Sequence, residues 1–119
     1  MKVGTKATVT DVSTGIQYRI HVMSSGSHAD VEPLTEDDTA KKKQTRGGQW
    51  SWSPRAILVT FENGRTVAAS ANGMPHGGST IKNGFSGHFC IHFLNSRNHY
   101  NNKVDAGHQS QVKRAFDSN

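Results

Sequence analysis

The chain lacks several features that small domains use for stability or membrane attachment. It contains one cysteine, Cys90, so no disulfide can form within the chain. Only 3 of its 119 residues are proline, and no apolar run approaches the length of a membrane-spanning helix. Residues 1–6 lead directly into strand-like sequence and do not resemble a secretory signal peptide. We therefore expect no internal disulfide, no membrane span and no signal peptide at this end of the sequence.

Composition indicates one mainly β domain with a basic surface. Hydrophobic residues make up 33% of the chain, and 12 glycines supply many turns. The formal net charge of +5 favours an anionic partner, although a lysine surplus also serves solubility alone. Part of this charge lies in the run 41–46, which we expect to be a solvated helix face.

Alternating apolar residues predict the strands. Segments 6–12 and 16–22 form an opening hairpin, and segments 56–61 and 66–70 form a second one around the two-residue turn Asn63-Gly64. A helix should begin after the N-cap Thr35 and end at Gly47-Gly48. The tail 105–116 should form a second helix, with Asp105 as N-cap and an apolar stripe of Val112, Ala115 and Phe116. These elements favour a small barrel with two short helices.

The most informative stretch is a predicted strand over residues 88–94. Here His88, Cys90 and His92 alternate with Phe89, Ile91 and Phe93. Successive strand side chains point to opposite faces, so one face is apolar and the other presents imidazole, thiol and imidazole. Four of the seven histidines and the only cysteine lie between residues 76 and 99. Such clustering favours a functional site.

Three interpretations of this row stay open. Cys90 is a nucleophile assisted by His76 or His88, with backbone amides of Gly77, Gly78 and Gly87 near a developing oxyanion. Alternatively, the row belongs to a zinc site. Its candidate ligands are His88, Cys90 and His92, together with His76 or with His28 and Asp30, and Asp30 or Glu32 would be the base for a zinc-activated water. In the third interpretation, Cys90 only packs and the histidines only form hydrogen bonds. The cofactor is accordingly either none or zinc.

Other polar and aromatic residues are candidates for contact with a substrate. Trp50 and Trp52 are separated by one residue and would face the same way on an extended segment, as a stacking platform or as ordinary packing. His92, Asn95 and Ser96, on and just after the histidine row, are further substrate-binding candidates. We expect His21 on a solvated strand face and His108 on a helix surface, neither with a functional role.

Part of the central stretch resembles the L,D-transpeptidase signature. The matching residues are His76-Gly77, followed by His88-x-Cys90-Ile91. The resemblance implies that Cys90 is the acyl-accepting nucleophile and His76 its base, on a β-sandwich fold. Phe89 stands in place of the family's glycine, and His92 in place of its arginine.

A second resemblance is to the double-psi β-barrels of expansins and rare-lipoprotein-A-type glycan enzymes. It is carried by residues 3–11 and by the triplet His88-Phe89-Cys90, which reads His-Phe-Asp in those proteins. This resemblance implies a double-psi-like barrel, with Asp30 as the nearest equivalent of the catalytic acid. Segments 28–35, 50–52 and 73–77 also look like a domain of Firmicutes wall proteins, which implies a cell-wall location.

Together these observations predict an enzyme that hydrolyses or remodels peptidoglycan, from a Gram-positive bacterium or its phage. It would act outside the cell on an anionic wall polymer. A zinc-dependent hydrolase is one alternative. A non-catalytic wall-binding module using Trp50, Trp52 and the basic run is another. Nucleic acid ranks behind the wall polymer as a partner, and the sequence leaves the oligomeric state open.

Overall fold

A computed structural model describes residues 3–24, 28–77, 83–85, 87–93 and 106–118. Its elements follow the chain in this order: β1 (Lys6–Asp11), β2 (Gln17–Ser24), β3 (Ala29–Pro33), α1 (Glu36–Thr45), β4 (Arg55–Phe61), β5 (Thr66–Ala71), β6 (Phe89–His92) and α2 (Ala106–Ser118). The strands close into a barrel in the order β1-β2-β3-β6-β5-β4, and neighbouring strands are antiparallel throughout. The predicted small β-barrel with two helices is therefore confirmed, rather than the alternative sandwich.

The barrel interior follows from the period-two alternation of the strands. Each strand turns every second side chain inward, as β1 does with Ala7 and Val9. The interior side chains with no exposed surface include Val9, Ile20, Val31, Val59, Ala69, Phe89 and Ile91. The predicted row of imidazole and thiol side chains lies on the other side of β6 and consequently points away from this core.

The hairpin between β4 and β5 has a longer loop than the sequence suggested. The Phe61 N–H donates to the Arg65 carbonyl at 2.9 Å, and the Gly64 N–H donates to the Phe61 carbonyl at 2.9 Å. The loop therefore contains three residues, 62–64. Gly64 has a φ of +86°, as expected for the left-handed position that closes a three-residue hairpin loop.

Helix α1 begins where the sequence predicted. The Asp38 N–H donates to the Thr35 hydroxyl at 3.2 Å, which confirms the N-cap. The basic run, however, is not a uniformly solvated face. Lys42 is 1% exposed, donates to the Asn72 carbonyl at 3.0 Å and lies 3.7 Å from the centre of the Phe89 ring. Because the helix packs over one end of the barrel core, one lysine of the run points inward.

Helix α2 packs against β4, β5 and β6. Val112 and Ala115 are buried as predicted, but Phe116 is 71% exposed and lies off the buried stripe. His108, which we placed on the helix surface, is instead 5% exposed. The predicted N-cap Asp105 lies outside the described residues. No helix in the part of the chain that the structure describes is both long and apolar enough to cross a membrane.

Candidate functional site

The site forms where β3 and β6 lie side by side. These strands are far apart in sequence, yet their register places Asp30 directly opposite Cys90. Phe89 and Ile91 enter the barrel core, so Cys90 and Asp30 project from the other face. The predicted alternation of β6 is thus confirmed, although the strand is shorter than expected and ends at His92.

A short bridge brings the His76 loop to the start of β6. The His76 N–H donates to the His88 carbonyl at 3.0 Å, and the His88 N–H donates to the His76 carbonyl at 2.8 Å. Two glycines permit this approach. Gly77 has a φ of +66° and Gly87 a φ of +129°, and a Cβ on either would collide with His88 or with the His76 backbone. The Gly87 N–H donates to the Phe85 carbonyl at 2.9 Å, so this amide already has a partner and does not point freely at the predicted oxyanion position.

Cys90 and His76 form a thiol–imidazole pair. The Cys90 Sγ lies 3.4 Å from the His76 Nε2. The other ring nitrogen of His76, Nδ1, lies 2.9 Å from the Met74 carbonyl oxygen. A carbonyl only accepts hydrogen bonds, so Nδ1 carries the proton and Nε2 of the neutral ring presents a lone pair to the thiol. This is the orientation that a general base requires.

Asp30 is the centre of polar contacts at the site. Its Oδ2 accepts a hydrogen bond from the Ser24 hydroxyl at 2.8 Å, and its Oδ1 accepts from the Cys90 thiol at 3.3 Å. The same Oδ1 lies 3.3 Å from His28 Nε2 and 3.9 Å from His88 Nε2. The single thiol proton is therefore shared between two neighbouring acceptors, Asp30 and His76.

These contacts shift the pKa values of the acid and the thiol in opposite directions. Burial by itself raises the pKa of Asp30, but hydrogen bonds from His28, Ser24 and Cys90 outweigh it and hold the pKa well below its ordinary value. Burial, followed by the charge and hydrogen bond of Asp30, raises the pKa of the Cys90 thiol well above its ordinary value. Asp30 is therefore ionised and Cys90 rests as the thiol.

Asn72 fixes the backbone of Cys90, a role that the sequence analysis missed. The Cys90 N–H donates to Asn72 Oδ1 at 2.9 Å, and the Asn72 N–H donates to the Cys90 carbonyl at 3.2 Å. The Asn72 carbonyl in turn accepts the bond from buried Lys42. Asn72 directly follows β5, the neighbour of β6, but only the barrel order reveals that adjacency.

Three imidazoles stack beside the thiol. His92 lies between His28, at 4.9 Å between ring centres, and His108, at 3.8 Å, with both pairs nearly parallel. His108 Nδ1 is 2.8 Å from the Ser70 hydroxyl. His92 is 3% exposed and thus lies inside the stack rather than on an open substrate-facing surface. Sequence spacing on α2 gave no signal for this contact, because it depends on how the helix docks.

The two tryptophans separate in the folded chain. Trp50 packs edge-on against the Phe85 ring at 5.1 Å, next to the barrel core. Trp52 is 57% exposed, and its ring lies 4.9 Å from that of His76. The segment between α1 and β4 is not a strand, so the expected common facing does not occur. Of the two tryptophans, Trp52 is the one whose exposed ring lies beside His76.

The remaining predicted residues lie apart from this cluster or outside the described chain. Glu32 is fully buried and bonds His21 Nε2 at 2.7 Å, so both are engaged in a cross-strand pair. Asn95, Ser96 and Gly78 lie outside the described residues.

The site contains two sets of possible metal ligands. One set is His28, Asp30 and Cys90, and the other is Asp30, His76 and His88; within each set the ligand atoms lie within 4.8 Å of one another. Nitrogen, sulfur and carboxylate oxygen are the donors that zinc uses in proteins. The described residues therefore offer both a thiol–imidazole pair and, around one carboxylate, side chains that could hold a metal ion.

No known family model, curated protein or solved structure matches this chain.

Proposed function

We propose that the protein is a thiol-dependent peptidoglycan hydrolase or remodelling enzyme, with Cys90 as nucleophile and His76 as general base. The observation that carries the proposal is the Cys90–His76 pair, 3.4 Å apart, with the His76 ring oriented by the Met74 carbonyl. A nucleophile, a base within reach and a group that orients the base are the parts of a nucleophilic acyl-transfer site.

The geometry supports a simple sequence of proton transfers. As Sγ attacks a substrate carbonyl carbon, His76 Nε2 takes the thiol proton. The imidazolium then protonates the departing amine, the carbon–nitrogen bond breaks, and a thioester remains on Cys90. Water deprotonated by His76 then attacks the thioester carbon, the carbon–sulfur bond breaks, and the imidazolium returns the proton to the Cys90 sulfur. An amine in place of the water forms a new amide bond by the same steps. Because Cys90 rests as the thiol, its deprotonation accompanies the attack.

The substrate class is supported by the surface next to the pair and by the sequence resemblances. Trp52 exposes its ring beside His76, where it can pack against a sugar or an apolar part of a wall peptide. The net charge of +5 favours an anionic polymer. Both named family resemblances involve proteins of the cell wall, and we accordingly propose an extracellular location.

The proposal is tested by incubating purified peptidoglycan with wild type, Cys90→Ala and His76→Gln. Amide cleavage is followed by newly released amino groups and glycan cleavage by new reducing ends. We expect amino groups from wild type and a loss of at least about a hundredfold in both variants. The control is His21→Gln, which changes a histidine engaged with Glu32. A Cys90→Ala enzyme with wild-type turnover would contradict the proposal.

A zinc-dependent hydrolase is the second candidate, favoured by the two ligand sets around Asp30. In that case the residues of one set would hold the ion, which would supply the activation of a water, and activity would disappear with a chelator and return with zinc. The thiol mechanism instead retains full activity in chelator. If wild type releases neither amino groups nor reducing ends, with or without zinc, both enzyme hypotheses are wrong and a wall-binding role is left.

A further inference from the structure

We propose that His28, Asp30 and Cys90 form a Zn²⁺ site, and that the bound ion blocks Cys90 as a nucleophile. The site shares Cys90 with the proposed enzyme, but it is defined by metal binding and not by turnover. Its test therefore succeeds or fails independently of any activity on peptidoglycan.

The distances between donors suit a tetrahedral ion. Zinc–ligand bonds of about 2.0–2.3 Å place neighbouring ligand atoms about 3.3–3.8 Å apart at the corners of a tetrahedron. Asp30 Oδ1 lies 3.3 Å from His28 Nε2 and 3.3 Å from Cys90 Sγ. Two edges of the tetrahedron are thus already present, and the third is no longer than 4.8 Å. The fourth position is left to water.

The local charges also suit a dication. Asp30 is ionised, and loss of the thiol proton from Cys90 to solvent adds a second negative charge to the set. Burial and the neighbouring carboxylate raise the thiol pKa in the metal-free protein, and the attraction of a dication for the thiolate offsets both effects. His28 Nε2 donates a proton to Asp30 in the metal-free protein, and it ligates as a neutral imidazole once that proton has left Nε2 for solvent or for Nδ1.

The protein positions these ligands firmly. His28 has 2% side-chain exposure and stacks on His92, so its ring orientation is held by packing. Ser24 donates to Asp30 Oδ2, leaving Oδ1 directed at the other two donors. Asn72 holds the Cys90 backbone from both sides. Outer contacts of this kind orient ligands and raise metal affinity.

Metal binding and nucleophilic attack exclude each other at this thiol. A thiolate bound to zinc donates its electron pair to the ion, and the ion lies between Cys90 and Asp30. Occupancy therefore places the enzyme in a resting state that a stronger chelator reverses.

The direct test is titration of chelator-treated, reduced protein with Co²⁺ and then Zn²⁺. We expect one equivalent of Co²⁺ to produce the thiolate-to-cobalt charge-transfer band and Zn²⁺ to abolish it. Cys90→Ser should remove the band, and His28→Ala should weaken binding at least about tenfold. His21→Gln, which alters the His21–Glu32 pair, is the control and should bind like wild type.

A second measurement needs no variant. One equivalent of Zn²⁺ should slow alkylation of wild-type Cys90 at least about tenfold, and excess chelator should restore the rate. The proposal is wrong if the band does not form, if Zn²⁺ leaves alkylation unchanged, or if His28→Ala binds with wild-type affinity. Metal binding that survives in Cys90→Ser also overturns it, since the ion would then occupy the Asp30–His76–His88 set.

Discussion

Asp30 controls the reactivity of Cys90, and Asp30→Asn measures that control. The substitution keeps the shape of the side chain and an oxygen for the thiol hydrogen bond, but it removes a negative charge 3.3 Å from Sγ. That charge is one of the groups that raise the thiol pKa, after burial. We therefore expect the variant thiol to ionise more readily and to be alkylated faster.

The distance between the Asp30 carboxylate and the Cys90 sulfur sets the size of the expected change in thiol ionisation. Two unit charges 3.3 Å apart interact by about 1.3 kcal/mol in water and by about 5 kcal/mol at an effective dielectric constant of about 20. The thiolate fraction then rises between about eightfold and about 5,000-fold. A less basic thiolate is a weaker nucleophile, with a Brønsted coefficient of about 0.45, so the alkylation rate rises between about threefold and about a hundredfold. Asp30 has 16% side-chain exposure and Cys90 is 5% exposed, so the pair lies mostly out of water, which favours the upper end.

The assay is the pseudo-first-order rate of iodoacetamide labelling across the alkaline pH range, with chelator present throughout. The labelling profile of Asp30→Asn should move to lower pH than that of wild type. The control is Asp37→Asn, which removes an exposed carboxylate paired with Lys41 at 3.1 Å. An unchanged or slower labelling rate in Asp30→Asn would refute the electrostatic account of the thiol.

Three further predictions concern the bridge between the His76 loop and β6, the stability of the fold at acid pH, and the exposed ring of Trp52. Gly87→Ala places a methyl group against the His76 backbone at a φ of +129°, so turnover should fall at least about tenfold while the thiol stays intact to labelling under denaturing conditions. Asp11 is buried, but its hydrogen bonds from Arg55 and Thr14 outweigh burial and lower its pKa. The ionised Asp11 side chain therefore stabilises the fold at pH values above its unfolded-state pKa of about 3.9, and this stabilisation is lost as the pH falls through its folded-state pKa. Asp11→Asn should cost about 2 kcal/mol or more at neutral pH and flatten the acid limb of the unfolding free energy; an unchanged limb would contradict this. Trp52→Ala should weaken peptidoglycan binding and leave the free energy of unfolding within about 0.5 kcal/mol of wild type, with Trp52→Phe as the partial rescue.

Local sequence was sufficient for both helices and for every strand except β3, which was not predicted. Period-two alternation correctly predicted that Cys90 faces away from Phe89 and Ile91, because this depends only on the pleat of one strand. The capping hydroxyl of Thr35 likewise determined the start of α1 through a bond three residues away. The His76–Cys90 pairing was a hypothesis from the histidine-rich stretch and from the L,D-transpeptidase resemblance. The structure brings the two side chains within 3.4 Å, and the catalytic role stays a prediction.

The tertiary structure decided which side chains share the site. Asp30 meets Cys90 because barrel closure makes β3 and β6 neighbours in one particular register, and no local pattern encodes a register between distant segments. His108 joins the histidine stack, and Lys42 turns inward, because each helix docks as a unit on a surface formed by several strands. The sequence by itself determined five of the six strands, the α1 cap and the face of β6 on which the thiol lies. Only the closed barrel placed the Asp30 carboxylate, the three stacked imidazoles and the Asn72 side chain around Cys90, since long-range contacts depend on the packing of the whole chain.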